Sequence, residues 1–193
     1  PIMMNRIRSI IEESIQVKQD LLNNPSIMEQ LGLIVDAVTI AFKNGHKVQF
    51  CGNGGSAADA QHLAAEFSGR FYKNRQALPS DALHCNSSYL TAVANDYGYD
   101  EVYSRLVEGT MQTGDILIGL STSGNSPNIV KAFETAKAKN ITTIGFTGND
   151  GGKLSALSQY LLNIPSTNTP RIQESHIMLG HIICELVEAN LFP

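Results

Sequence analysis

Four hydroxyl side chains crowd into one short stretch, Ser121-Thr122-Ser123-Gly124-Asn125-Ser126. It follows the apolar run Ile116 to Leu120 and precedes Pro127, a residue favoured at the first position of a helix, with Ser126 as the N-cap. Hydroxyl donors around a helix N-terminus can hold a phosphate without any lysine. A capped loop with incidental hydroxyls is the plainer alternative, although one serine would suffice as a cap. A second loop, Gly52-Asn53-Gly54-Gly55-Ser56, also follows an apolar run and opens a helix; its glycines permit a tight turn and close approach of backbone N–H groups to an anion. It is not the dinucleotide fingerprint, since Ala57 stands where the third glycine belongs, and it lacks the P-loop lysine. No nucleotide cofactor is expected.

Groups able to move protons stand nearby in sequence. His62 and Glu66 are four residues apart on the helix after the glycine loop, hence on one face and about 6 Å apart in rise. An imidazole and a carboxylate so placed suit general acid–base work or a divalent metal; a polar surface pair is the alternative. Gln173 and His181 lie eight residues apart on the last helix, roughly 12 Å along its axis. They would flank opposite ends of one pocket or serve sites in different subunits. His181 taken alone reads as a core histidine, and His84 and His176 read as structural.

The elements that must position these groups follow from periodicity. Short apolar runs at 47–51, 82–85, 116–120, 141–146 and 160–164 alternate with helical stretches, which predicts a five-stranded parallel sheet covered on both faces, an α/β three-layer sandwich. Ligands of such sheets bind beyond the carboxyl ends of the strands, where both loops fall. Two helices should precede the sheet as a hairpin, one with Ile7, Ile10, Ile11 and Ile15 on a face, the other with Ile27, Leu31, Ile34, Val35 and Val38, separated by the breaker Asn23-Asn24-Pro25-Ser26. They would pack on the sheet or form a dimerisation element. A long C-terminal helix over 171–190 carries the stripe Ile172, His176, Leu179, Ile183 and Leu186.

The 193 residues suit a single domain. A net charge of -4 argues against a dedicated nucleic-acid binder, which needs a clustered basic surface. Cys51, Cys85 and Cys184 are odd in number and widely spaced, which fits a reducing cytoplasm and signals neither a disulfide framework nor a zinc ribbon. Neither a signal peptide nor an apolar run of membrane-spanning length is read from the sequence, so no membrane partner is expected.

Four segments taken together carry a resemblance: Cys-Gly-Asn-Gly-Gly-Ser-Ala-Ala-Asp-Ala-Gln-His at 51–62, Asn95-Asp96-Tyr97-Gly98, the hydroxyl loop, and Arg171-Ile172-Gln173-Glu174 followed by His181. In order and spacing, over nearly the whole chain, they resemble the sedoheptulose-7-phosphate isomerase branch of the sugar-isomerase (SIS) domain proteins. The resemblance implies one SIS domain over 1–193, with residues 1–44 on the core or in an oligomer interface. It implies interconversion of sedoheptulose 7-phosphate and D-glycero-D-manno-heptose 7-phosphate through a cis-enediol, supplying nucleotide-activated heptose to lipopolysaccharide or capsule.

By motif position, Glu66 resembles the family's base and His181 its partner acid/base. Ser56, Ser121, Thr122, Ser123 and Ser126, with Gly54 and Gly55, resemble the phosphate cradle, and Asn53, Asp96 and Gln173 lie near the sugar. Some members bind zinc, one ion per subunit, through residues matching His62, Glu66, Gln173 and His181. Members are cytoplasmic homotetramers with interfacial sites. One departure stands out: Pro170 precedes Arg171 where some isomerases carry an aspartate. A close SIS relative binds the replication initiator DnaA instead of turning over sugar but lacks the acid at Glu66; that role, or isomerisation of another sugar phosphate, is the alternative.

Overall fold

A computed structural model describes all residues, 1–193. Two helices come first, α1 (Ile2–Leu22) and α2 (Pro25–Lys43). The break between them uses Asn24, whose side chain accepts a hydrogen bond from the Ile27 N–H at 3.1 Å, with Pro25 in the first turn. The chain then alternates β1 (Val48–Gly52), α3 (Gly55–Ser68), β2 (Ser80–Ala82), α4 (Ser87–Tyr97), α5 (Ser104–Thr110), β3 (Ile116–Leu120), α6 (Pro127–Ala138), β4 (Thr142–Gly148), α7 (Leu154–Leu157), β5 (Tyr160–Ile164) and α8 (Thr169–Leu191). All strand pairs are parallel, in the order β2-β1-β3-β4-β5.

That order reverses direction between β1 and β3. The connection from β1 runs outward one way to β2, and the connection from β3 runs the other way to β4, so the crevice lies beyond the carboxyl ends of these two central strands. Both loops singled out from the sequence occupy it.

Strand alternation builds two cores. Ile116, Ile118 and Leu120 of β3 point into the layer of α2, α3 and α8, together with Phe50, Ile144, Phe146 and Leu162. Leu117 points into the opposite layer with Val107, Ile129, Phe133 and Leu154. This is the expected αβα sandwich. On β3, Gly119 lies under the Phe133 and Ile129 side chains, where a Cβ would overlap the ring.

Four expectations shift. The edge strand is three residues long, Ser80–Ala82, rather than 82–85. It needs only β1 as partner, and Leu83 folds under the sheet after a last N–H bond to the Phe50 carbonyl at 2.9 Å. The α8 stripe passes from Ile183 to Val187 instead of Leu186, which is exposed, because the next residue on that face comes four positions on. The α1 isoleucines do not enter the core: Ile7, Ile11 and Ile15 are 45%, 56% and 59% exposed. Helix α1 instead docks through Val17 and Leu21 and through polar bonds to the start of α8, Ser14 to Glu174 at 2.8 Å and Asn168 to Glu13 at 2.9 Å. Finally, α2 is long and apolar enough by composition to cross a membrane; its residues Ile27, Leu31, Ile34, Val35 and Val38 are all buried in the core, as a central helix requires.

Helix α8 is pinned to the sheet by His176, fully buried, whose Nε2 lies 2.7 Å from the Thr147 carbonyl oxygen. Burial lowers its imidazole pKa to about 4, against an upward pull from the Thr147 bond. The unfolded chain takes up that proton near pH 6.5 and the folded chain only near 4, so protonation favours unfolding between those values. Stability should therefore fall as pH drops from about 6.5 to about 4. Urea melts across this range should show the fall, and His176→Asn, less stable at pH 8, should show a shallower one.

Candidate active site

The crevice is closed by side-chain bonds between its two loops. Asn53 and Asn128 exchange reciprocal amide bonds, each 2.9 Å, joining the loop after β1 to the first turn of α6. Asn128 is buried, and its Oδ1 also accepts the Ile129 N–H at 2.9 Å. Tyr99 donates to Asn53 Oδ1 at 3.0 Å, and buried Tyr103 donates to the Gly52 carbonyl at 2.5 Å. Asn128, Tyr99 and Tyr103 join the crevice without belonging to any of the motifs described above. The available signal was an amide in a helix's first turn beside the hydroxyl loop, and tyrosines trailing the Asn-Asp-Tyr-Gly motif.

The hydroxyl loop has the expected shape with one revision. Ser126 sits at the N-cap of α6 but makes no capping bond; its hydroxyl lies 2.9 Å from that of Ser121. The first N–H groups of α6 lack intrahelical partners in any case. Gly124 adopts φ +70°, in the left-handed region, and a Cβ there would overlap the Gly151 carbonyl. The loop is braced against residues 148–154 by the Gly148 N–H to the Thr122 carbonyl at 3.0 Å and the Leu154 N–H to the Gly124 carbonyl at 3.0 Å. Ser123 Oγ accepts the Asn125 N–H at 3.1 Å. Ser121 is buried, Thr122 and Ser126 are half-buried, and Ser123 is exposed.

In the other loop Gly54 takes φ +56° and Ser56, buried in the first turn of α3, donates its N–H to the Asn53 carbonyl at 3.0 Å. Gln173 lies over Gly55, where a Cβ would come 3.0 Å from its amide nitrogen. Asp96 is exposed in the last turn of α4 and accepts from Asn95 at 3.0 Å; it bonds to neither loop, and Tyr99 is the residue of that segment that reaches the crevice. Pro170 occupies the first turn of α8, a position suited to proline.

Helices α3 and α8 run side by side in the same direction, so that Gly55 meets Gln173 and Leu63 meets Gly180. At Gly180 a Cβ would stand 2.5 Å from a Leu63 methyl, so a larger residue there would force the buried Leu63 side chain to shift. One residue on, His181 Nε2 stands 3.7 Å from Glu66 Oε2. Within one chain Gln173 lies on the glycine loop while His181 lies beside Glu66, well apart along α8. The water-poor pocket that a strong carboxylate base needs is not formed by one chain: the Glu66 side chain is 23% and the His181 side chain 37% exposed.

His62 completes a cluster with them. Ligating atoms of His62, Glu66 and His181 all lie within 4.8 Å of one another, and the two imidazole rings are 5.1 Å apart edge to face. His181 Nε2 is buried without a hydrogen-bond partner. Two imidazoles and a carboxylate, one donor atom unsatisfied, fit a divalent transition metal such as zinc. Gln173 packs on Gly55, about 12 Å along α8 from His181, and stands apart from this cluster. Asp59, one turn before His62, has its carboxyl pKa raised by burial, opposed by the charges of His62 and His181.

Known proteins are similar to this chain in sequence and overall fold. Residues 15–148 match the family model described as the SIS domain. A phosphoheptose isomerase of Clostridium acetobutylicum is 51% identical over 190 residues, covering 98% of this chain and 97% of that one. One from Aneurinibacillus thermoaerophilus is 48% identical over 190 residues, covering 98% and 96%. Among solved structures, phosphoheptose isomerase from Neisseria gonorrhoeae superposes with a TM-score of 0.91 at 39% identity, covering 97% of this chain and 99% of that one.

The close approach at Gly180 can be tested directly. Gly180→Ala should lower unfolding free energy by about 1–3 kcal/mol through overpacking against fully buried Leu63. Denaturant melts check this, and an unchanged midpoint would mean that the two helices have room to spare.

Proposed function

The chain belongs to the SIS-domain family and, within it, to the phosphoheptose isomerases; from that premise we propose that it interconverts its ketose and aldose heptose phosphates by proton transfer between Glu66 and His181. It is an aldose–ketose isomerase acting on sedoheptulose 7-phosphate, the aldose being D-glycero-D-manno-heptose 7-phosphate. The observation carrying the mechanism is the Glu66–His181 pair, 3.7 Å apart, on helices whose N-terminal ends border the crevice.

The phosphate sits in the hydroxyl loop, on Ser121, Thr122, Ser123 and Ser126, with Ser56 and the backbone of Gly54 and Gly55 on its other side. Asn53, Asp96 and Gln173 serve the sugar hydroxyls. Glu66 removes the C1 proton of the ketose, leaving a cis-enediol, and returns a proton to C2. His181 moves the proton between the C1 and C2 oxygens. Zinc, one ion per subunit, would be held by His62, Glu66 and His181, and when bound it supplies Lewis-acid polarisation of the carbonyl. A fourth ligand from Gln173, as the family resemblance has it, would need that residue from elsewhere than its place on Gly55. Holding a metal and accepting a proton are competing tasks for Glu66.

The exposed isoleucines of α1 and an apolar groove of about 820 Å³ between α1, α2 and α8, lined among others by Leu21, Met28, Leu31 and Met178, support a homotetramer. A partner chain over Glu66 would also exclude the water that one chain admits. The single SIS domain would then act in the cytoplasm, its product feeding nucleotide-activated heptose to lipopolysaccharide or capsule.

Glu66→Gln should abolish turnover of sedoheptulose 7-phosphate while leaving binding of the phosphate nearly unchanged, measured by coupled assay and by calorimetric titration with substrate. Turnover at the wild-type rate in that variant removes Glu66 as the base. Ser121→Ala combined with Ser126→Ala should raise KM, since each lost bond is worth about 0.5–1.5 kcal/mol and more to a charged group. An unchanged KM places the phosphate elsewhere.

A further inference from the structure

Beyond the crevice, at the far ends of α3 and α8, lies a buried ion pair that the reaction itself does not use. Arg75 Nε donates to Glu188 Oε1 at 2.8 Å, and both side chains are almost fully enclosed, 3% and 2% exposed. The remaining Arg75 donors reach back to the end of α3, Nη2 to the Glu66 carbonyl at 2.8 Å and Nη1 to the Phe67 carbonyl at 2.7 Å and the Gly69 carbonyl at 3.0 Å, while Nη1 also meets the neighbouring Gln76 carbonyl at 3.0 Å. Glu188 accepts in addition the N–H groups of Phe71 at 3.0 Å, Tyr72 at 2.8 Å and Lys73 at 3.0 Å. Every oxygen of the carboxylate is engaged.

The partners of this network are informative. The carbonyl that Arg75 Nη2 holds belongs to Glu66 itself. Glu188 stands seven residues after His181 on α8, two turns on and on nearly the same face. The segment whose N–H groups Glu188 gathers carries Phe71, whose ring centroid is 5.8 Å from that of His181. One guanidinium thus ties the backbone of the carboxylate residue to the helix of the imidazole residue, and one carboxylate seats a ring beside that imidazole.

We infer that Arg75 and Glu188 are positioning residues for the reaction, setting the distance and orientation of Glu66 relative to His181 through the end of α3, α8 and the Phe71 segment. Stability alone calls for some polar partner for these backbone carbonyls and N–H groups, but not for an arrangement that runs through Glu66 and the surroundings of His181. An alignment requirement does call for it, because a guanidinium's planar fork fixes several acceptors at once. Misplacement of reacting groups by about 1 Å can cost on the order of a hundredfold in rate.

This rests on the isomerase reading of Glu66 and His181, and the test separates the two. Glu188→Gln and the double variant Arg75→Met with Glu188→Leu are assayed on sedoheptulose 7-phosphate beside the wild type and Glu66→Gln, at a temperature well below each melting point. Both should lose about tenfold or more in kcat with KM within about twofold, and both should melt below the wild type, the double variant lowest because it leaves backbone carbonyls and N–H groups without partners. Either variant, folded at the assay temperature and with kcat within about twofold of the wild type, overturns the inference and leaves the pair a structural brace. A fully active Glu66→Gln overturns the isomerase mechanism instead, and the positioning role with it.

Discussion

The structure depends on the close, parallel contact of α3 and α8, made possible where Gly180 lies on Leu63. Helices usually sit about 8–10 Å apart, the distance being set by the side chains at the contact. With no Cβ at Gly180, α3 packs closely on α8, and beside that contact Glu66 and His181 meet at 3.7 Å. Other polar contacts are spread along the same two helices. Gln173 lands on the glycine loop at one end, the His62, Glu66 and His181 cluster forms further along, and Arg75 with Glu188 fastens the far end. Glu188 shows how firmly: burial would raise its carboxyl pKa, yet three backbone N–H groups and Arg75 bring it down to about 2.

The sheet supplies the second half of the site by topology. The strand order reverses between β1 and β3, so the two anion-friendly loops emerge side by side. The reciprocal Asn53–Asn128 bonds turn that adjacency into a fixed spacing. Because Ser126 bonds to Ser121 rather than capping its own helix, the hydroxyls and the α6 N-terminus face the crevice together. In the proposed reaction, anchoring and proton transfer fall to different elements, the loops for the first and the paired helices for the second.

Much of this was legible in the residue order, for identifiable reasons. Strands buried on both faces read as apolar runs, and glycine- or serine-rich loops after them mark strand ends, so the sheet, both loops and the His62–Glu66 face could be read without coordinates. The edge strand was misplaced because Ala82 and Leu83 carry the apolar signal while polar Ser80 and Asp81 make the ladder. The isoleucines of α1 gave a true helical face, but amphipathicity does not say which surface covers it. Contacts between distant segments were out of reach. Nothing local links Arg75 to Glu188 or Asn53 to Asn128, and Gly180 looks like a weak point in a helix until Leu63 is found beneath it.

In the proposed reaction the carbonyl moves by proton transfer through an enediol held between Glu66 and His181. Running the wild-type reaction on sedoheptulose 7-phosphate in deuterated water and locating carbon-bound deuterium by NMR tests it most directly. Proton transfer through a side-chain base that exchanges with solvent predicts deuterium at C2 of the aldose and at C1 of recovered ketose. Conversion to equilibrium with no deuterium at either carbon would contradict it and indicate direct hydride migration.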